Sequence, residues 1–237
     1  MRHFGIIGYP LQHSFSAKYF SEKFAREQID AEYSLYPIAE NELERIETYI
    51  RTLDGMNVTM PYKQKVIAYL DRLDETAQAV GAVNVVHRNV GYNTDCLGFM
   101  SSIKPLLRDF DREALVLGTG GAAKAVVYGL KQLGIHPTLV SRTPQQGQLS
   151  YKELSDEVMA QHTVIVNCTP LGMFPDVNSC PDIPYEMITA RHLLFDCVYN
   201  PEETLFLRKG KAQGATIRNG IEMLLGQAQA AWKIWNS

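Results

Sequence analysis

Cysteine is scarce and unpaired in this chain. Its four residues, Cys96, Cys168, Cys180 and Cys197, lack the close spacing of a zinc site and the density of a disulfide framework, so neither is expected and the thiols are read as reduced. Long apolar runs are missing as well. The opening stretch is broken by Gly8 and Pro10 before it reaches the length of a signal-peptide core, and no later stretch attains membrane-spanning length without a charge. A cytoplasmic protein with no membrane partner is expected. With a net charge of −3 and no run of lysines and arginines, there is no electrostatic footprint for nucleic acid. The six histidines fall outside zinc-protease spacing and no serine sits in a G-x-S-x-G elbow, so no metal site and no nucleophile triad are expected. Internal repeats and low-complexity tracts are absent, which excludes solenoids and linker-rich designs.

What the chain does contain is a strand, a glycine turn and a helix start in one line. The apolar run Ala114-Leu115-Val116-Leu117 is short and ends at glycine, as a buried parallel strand does. In Gly118-Thr119-Gly120-Gly121-Ala122-Ala123, the small residues Gly118, Gly120 and Ala123 occupy the three positions of a G-x-G-x-x-G/A turn. A helix is expected over 122–133, with its N-terminal amides facing two phosphates. Gly134 stops it, Pro137 resets the chain, and a second strand over 138–140 runs into Ser141-Arg142-Thr143. This is a βαβ unit that looks like a dinucleotide clamp, with a plain tight turn between core elements as the alternative. An NAD site usually carries a carboxylate after the second strand to accept from the ribose 2′-hydroxyl, whereas Arg142 stands here and pairs with a phosphate. NADP is therefore favoured over NAD, with a solvated loop arginine as the alternative.

The 237 residues suffice for two small domains. The expected fold class is α/β: an N-terminal α/β domain over 1–100 and a Rossmann-type doubly wound nucleotide-binding domain over 101–220, with a C-terminal helix over 221–235 packing back on the first domain. In the first part, strands are expected near 4–8, 32–38, 55–59, 82–88 and Tyr92, with helices from Ser16, over 41–52, after Pro61 and over 98–110. In the second, a helix is expected over 152–161 and strands over 164–167 and 193–196.

Several polar residues lack an obvious structural role. Ser14 and Ser16 flank Phe15 ahead of a helix; Ser16 is a natural N-cap, and a carboxylate or polyol site is the other reading. In Asn57-Val58-Thr59-Met60-Pro61-Tyr62-Lys63 a proline turn presents Lys63 at a helix start, where its charge opposes the helix dipole, with an exposed surface lysine as the alternative. Ala82-Val83-Asn84 places an amide in an apolar strand, and Asn93-Thr94-Asp95 precedes Cys96-Leu97-Gly98. A buried asparagine satisfying its hydrogen bonds and an aspartate capping a helix are the structural alternatives. Lys63 and Asp95 together offer the cation and anion needed to move a proton from an alcohol as hydride leaves its carbon.

These motifs, in order, resemble those of the shikimate dehydrogenase family. Ser14-Phe15-Ser16, residues 57–63, Gly81-Ala82-Val83-Asn84 and residues 93–98 are similar to its substrate motifs. Residues 118–123 resemble its glycine loop, and Asn167-Cys168-Thr169-Pro170-Leu171-Gly172-Met173 its cofactor-side strand end. Asp196-Cys197-Val198-Tyr199-Asn200-Pro201 and residues 220–227 resemble its late tyrosine motif and closing helix. The resemblance spans nearly the whole chain. It implies reversible NADP-linked interconversion of 3-dehydroshikimate and shikimate, in a monomer or homodimer. By resemblance Lys63 and Asp95 are the catalytic pair, with Lys63 the proton acceptor in the oxidative direction. Ser14 and Ser16 take the substrate carboxylate, and Thr59, Asn84, Tyr199 and Gln227 complete the pocket with the pair. Gly118, Thr119, Gly120, Gly121 and Ala122 hold the pyrophosphate, Ser141, Arg142 and Thr143 the 2′-phosphate, and Cys197 and Gly220 the nicotinamide end. Where many members carry a second arginine, Pro144-Gln145-Gln146 stands, and Lys124 replaces a common arginine after the glycine loop. A quinate/shikimate dehydrogenase using NAD and a non-catalytic sensor of shikimate and nucleotide are the alternatives.

Overall fold

The structure is a computed structural model that describes residues 1–11 and 14–237. Two compact units are distinguished: Met1–Thr94 with Ala228–Ser237, and Asp95–Gln227.

The first unit is built on a six-stranded mixed sheet. Its elements are β1 (Arg2–Gly8), α1 (Phe15–Arg26), β2 (Ala31–Pro37), α2 (Arg45–Thr52), β3 (Gly55–Val58), β4 (Arg72–Leu73), α3 (Glu75–Val80), β5 (Val85–His87) and β6 (Val90–Tyr92). The strand order is β2-β1-β3-β5-β6-β4. β1 runs parallel to β2 and β3, while β5 is antiparallel to both β3 and β6. Because successive side chains of a strand point to opposite faces, Ile7 joins Met56, Val58 and the α2 residues Ile46 and Ile50 on one face, and Phe4 and Ile6 join Phe20 and Phe24 of α1 on the other. Covering both faces requires the near-continuous apolar run that β1 shows.

The second face also takes the end of the last helix, α8 (Ile221–Trp235), whose residues from Ala228 onward belong to this unit. Ala228, Ala231 and Trp235 are buried there, and Trp235 Nε1 donates to the Val86 carbonyl at 3.2 Å. Gly55 admits the indole, since a Cβ at that position would run into the Trp235 ring. The C-terminal helix thus packs on the first unit, as expected.

The second unit comprises α4 (Asp95–Ile103), β7 (Glu113–Leu117), α5 (Gly121–Gln132), β8 (His136–Ser141), β9 (Leu149–Ser150), α6 (Asp156–Gln161), β10 (Val164–Asn167), β11 (Leu193–Asp196), α7 (Leu205–Ala212), β12 (Thr216–Arg218) and α8 up to Gln227. All neighbouring strands are parallel, in the order β12-β11-β10-β7-β8-β9. The order reverses between β7 and β10, which is the doubly wound arrangement whose crevice at the switch point receives ligands. Ala114 and Val116 of β7 face Phe99, Val126 and Leu130, while Leu115 and Leu117 face Met159, Phe206 and Leu207.

Several expected elements shift. The helix expected over 98–110 begins at Asp95 and gives way to a 3-10 turn over Lys104–Leu106, where Pro105 lacks the N–H that would continue it. α4 groups with the second unit because Gly98 and Gly226 let it approach α8 closely; a Cβ on Gly98 would strike the Met223 carbonyl. The compact units therefore divide at 94/95 and 227/228, against the sequence division at 100/101 and 220/221. No α-helix follows Pro61; a turn leads into a 3-10 segment over Lys65–Tyr69. The helix expected over 152–161 is a 3-10 turn at Tyr151–Glu153 followed by α6, and the one over 41–52 is regular only from Arg45. Among the described residues, no helix is long and apolar enough to cross a membrane.

Candidate active site

In the first unit Thr59 and Lys63 follow the end of β3, and the Asn84 carbonyl accepts from the Val58 N–H beside it. Thr59 directly follows β3, and its N–H donates to the Ile7 carbonyl at 2.9 Å. Gly8 makes room for it, since a Cβ there would meet the Thr59 methyl. The next turn is anchored by Tyr62, fully buried, whose hydroxyl donates to the Ile38 carbonyl. Burial raises the Tyr62 phenol above its ordinary pKa, which keeps it a neutral donor. Lys63 follows, half-buried, and its carbonyl accepts from the Val83 N–H at 2.7 Å.

Ala82, Val83 and Asn84 act as a three-point clasp. The Ala82 carbonyl accepts from Asn93 Nδ2 at 2.9 Å, Val83 holds Lys63, and the Asn84 amide holds Thr94. Asn84 Oδ1 accepts from the Thr94 N–H at 2.7 Å and Nδ2 donates to Thr94 Oγ1 at 2.9 Å. Consecutive residues thus secure the backbone of Lys63 and of the residue preceding Asp95. Asp95 itself is the first residue of α4 and is buried.

A chain of hydrogen bonds reaches the clasp from α1. Ser16 bonds to the Tyr33 hydroxyl, which donates to Asn57 Oδ1 at 2.7 Å; Asn57 Nδ2 in turn donates to the Asn84 carbonyl at 3.3 Å. Burial holds the Tyr33 phenol well above its ordinary pKa, with the Ser16 bond acting in the opposite sense. The expected cap assignment changes here: Ser14, not Ser16, caps α1, accepting from the Ala17 N–H at 3.4 Å. Ser16 lies one residue inside the helix and is buried, so its hydroxyl faces Tyr33.

In the second unit β7 passes directly into the glycine turn. Gly118 has φ of +105°, which a residue with a Cβ adopts only under strain. Gly120 is different: among the described residues, none beyond its chain neighbours comes within 4 Å of a Cβ placed there, so their packing does not demand glycine. The open approach it leaves suits a phosphate coming close to backbone N–H groups. α5 starts at Gly121 with no acidic residue in its first turn and no side-chain cap, so the helix itself supplies no anion to its N-terminal dipole. Ala122 follows in that first turn, and Ala123 is buried in the core between helix and sheet.

A cavity of about 340 Å³ adjoins this turn. Its walls bring Thr119 and Lys124 together with Ser141 and Thr143 at the end of β8, as the βαβ reading requires. Ser141 Oγ accepts from the Thr143 N–H at 3.2 Å, which turns the chain around exposed Arg142. Gln145 and Gln148 also line it and were not among the predicted residues. They tie a turn of their own: Gln145 N–H donates to Gln148 Oε1 at 3.2 Å, and Gln148 N–H to the Gln145 carbonyl at 2.9 Å. Their sequence signal was the proline and glutamines in place of a second arginine.

Across the switch point, β10 and β11 end in a buried knot. Asn167 Nδ2 donates to Asp196 Oδ1 at 3.0 Å, Thr204 Oγ1 donates to Asp196 Oδ2 at 2.6 Å, and the Val198 N–H donates to Oδ1 at 3.0 Å. Burial raises the Asp196 carboxyl to about 6, against the opposing hydrogen bonds from Thr204, Val198 and Asn167. The knot sets the strand ends from which Cys168 and Cys197 project. Gly220 lies against Cys197, since a Cβ on Gly220 would strike the Cys197 carbonyl, and its N–H donates to the Val198 carbonyl at 3.1 Å. Tyr199 is 39% exposed on the loop that follows, and Gln227 is buried on α8, its Nε2 donating to the Leu224 carbonyl at 3.0 Å. Among the described residues, no group of three or more His, Cys, Asp or Glu side chains is arranged to hold a metal ion.

Comparison with known proteins agrees with this architecture. A family model described as the shikimate dehydrogenase substrate binding domain matches residues 6–86. Shikimate dehydrogenase (NADP(+)) of Symbiobacterium thermophilum is 37% identical over 257 residues, spanning 98% of this chain and 87% of that protein. The chain belongs to the shikimate dehydrogenase family. A crystal structure of the Thermus thermophilus family member in complex with NADP(H) and shikimate superposes with a TM-score of 0.87 at 30% identity, covering 99% of this chain and 93% of that one. The Listeria monocytogenes member, in complex with shikimate and NAD, gives 0.85 at 26% identity, covering 100% and 92%.

Proposed function

We propose that this protein interconverts 3-dehydroshikimate and shikimate with NADP(H), in the cytoplasm, using Lys63 and Asp95 as its acid-base pair. The observation that carries the reading is the clasp: Val83 holds the Lys63 carbonyl and Asn84 holds Thr94, so adjacent residues secure the chain beside both proposed catalytic groups. In the oxidative direction Lys63 accepts the proton of the substrate hydroxyl while Asp95 accepts a hydrogen bond that orients it. Ser14 and Ser16 receive the substrate carboxylate, and Thr59, Asn84, Tyr199 and Gln227 complete a pocket of neutral donors and acceptors suited to a trihydroxy acid. Asn84 contributes from an amide already braced by Thr94, which limits the rotamers it must give up on binding.

The second unit suits NADP. Gly118, Thr119, Gly120, Gly121 and Ala122 hold the pyrophosphate at the α5 N-terminus, Ser141, Arg142 and Thr143 the 2′-phosphate, and Cys197 and Gly220 the nicotinamide end. When bound, the nicotinamide supplies or accepts the hydride. The open approach at Gly120 and the uncapped α5 start support this placement. A second reading, a quinate/shikimate dehydrogenase using NAD, draws on the neutral Gln145 and Gln148 that line the cavity. The test is an absorbance assay of reduced nicotinamide, pairing shikimate or quinate with NADP or NAD. Turnover best with shikimate and NADP supports the proposal, preference for quinate and NAD supports the second reading, and no turnover in any pairing refutes both.

A further inference from the structure

We propose that Cys168 and Cys197 form a redox-sensitive dithiol, closed to a disulfide by low-molecular-weight disulfides and reopened by thiols. Both cysteines are free, and their Sγ atoms lie 3.8 Å apart. They project from the ends of neighbouring parallel strands, one residue beyond the register pair Asn167 and Asp196, and the Cys197 N–H donates to the Asn167 carbonyl at 2.9 Å. Adjacent strands run about 4.8 Å apart, which falls inside the usual Cα separation for a disulfide, about 4.4–6.8 Å. The sulfurs need to close from 3.8 Å to about 2.0 Å. Both side chains are partly buried against the same core cluster, so neither has to swing out of solvent to meet the other.

The exchange balances in two steps. The Cys197 thiolate attacks one sulfur of a small disulfide such as oxidised glutathione, forming a mixed disulfide and expelling one glutathione thiolate. Cys168 then loses its proton to solvent and attacks Cys197 Sγ, forming the intramolecular bond and expelling the second. The protein pair loses two electrons and two protons while the small disulfide becomes two thiols. Burial raises the Cys168 thiol well above its ordinary pKa, with Cys197 and Asp196 adding to the shift, which assigns the first attack to Cys197 and the resolving step to Cys168. The bond draws together the two strand ends next to Gly220, the surface assigned above to the nicotinamide end, so closure lowers turnover. That consequence rests on the proposed function; the bond itself does not.

The folded protein is incubated with oxidised glutathione, quenched in acid, alkylated under denaturing conditions and read by intact mass and peptide mapping. The expected product has lost two hydrogens, carries a peptide linking Cys168 to Cys197, reverts with dithiothreitol, and does not arise in Cys168→Ser. In the parent, a stable glutathione adduct without the link, a link involving Cys96 or Cys180, or no reaction overturns the proposal. In parallel, shikimate-dependent NADP reduction should fall roughly 10-fold or more on oxidation, since strand ends shifted by about 1 Å misplace a bound ring. In Cys168→Ser the exchange should stop at a glutathione adduct on Cys197, visible by mass, so the loss of rate is read on the linked, glutathione-free form of the parent and should reverse with dithiothreitol. A linked protein with unchanged turnover overturns the switch. Absence of turnover before any oxidation speaks against the proposed function instead, and the mass readout still decides the bond.

Discussion

Asn84 grips Thr94 at two points, accepting from its N–H at 2.7 Å and donating to its hydroxyl at 2.9 Å. Thr94 is fully buried, so neither group can turn to water. Asn84→Ala leaves both without this partner, and stability should fall by about 2–3 kcal/mol in urea unfolding. The residue after Thr94 is Asp95, so turnover measured on the folded fraction should fall as well. An unfolding midpoint equal to that of the parent would show that the clasp contributes nothing.

Lys63 is held through its carbonyl, which accepts from the Val83 N–H at 2.7 Å. Lys63→Ala should lower turnover by roughly 10²-fold or more with little change in NADP affinity measured by fluorescence. Lys63→Arg should not restore it, because a guanidinium does not give up its proton at neutral pH. Near-normal turnover of the alanine variant would remove Lys63 from the acid-base role.

The two glycines of the turn serve different ends. Gly118→Ala forces a Cβ into φ of +105° and should cost about 1–2 kcal/mol of stability. Gly120→Ala meets no described residue beyond its chain neighbours within 4 Å, so its stability should stay within about 0.5 kcal/mol of the parent while NADP binding weakens. Titration calorimetry and thermal unfolding on the same samples separate the two effects. Full NADP affinity in the Gly120 variant would remove the pyrophosphate from this turn.

Arg142 is the exposed cation between two residues of the cavity wall. Arg142→Ala should raise the KM for NADP roughly 10-fold or more, since a charge-assisted bond contributes about 1.5–3 kcal/mol, and leave that for NAD nearly unchanged. An equal effect on both cofactors would dissociate Arg142 from the 2′-phosphate.

Asp196 makes stability depend on pH. Its folded pKa of about 6 lies above the 3.8 of the free side chain, so the native state binds this proton more tightly than the unfolded chain. The favourable contribution is complete below 3.8 and is lost as pH rises to about 6, amounting to about 3 kcal/mol for this shift. Asp196→Asn should therefore lose less stability than the parent between those two limits. Parallel stability profiles from urea unfolding at stepped pH would rule out this linkage.

The glycine turn, the βαβ unit and the C-terminal helix were legible because their signals are local: a run of apolar residues, a triplet of small ones, a glycine stop. Strands β4 and β9, two residues each, were not, since so short a segment carries no period. α3 was missed although Asp74 caps its start and Gly81, at φ of +67°, closes its end. Both caps could have been read. The same applies to Ser14 and Ser16, where either hydroxyl satisfies the local rule and only the burial of Ser16 against Tyr33 separates them.

Residue order by itself determined which chemical groups the chain owns and which short motifs carry them, because steric and capping preferences act over a few neighbouring positions. Tertiary structure decided who meets whom. Scattered cysteines at 168 and 197 come within 3.8 Å, and Asn84 finds Thr94 rather than solvent. Gln145 and Gln148 turn toward the cavity. Those encounters depend on parallel strands being laid side by side and on burial that leaves polar groups no partner but each other, and neither condition is written in any single segment.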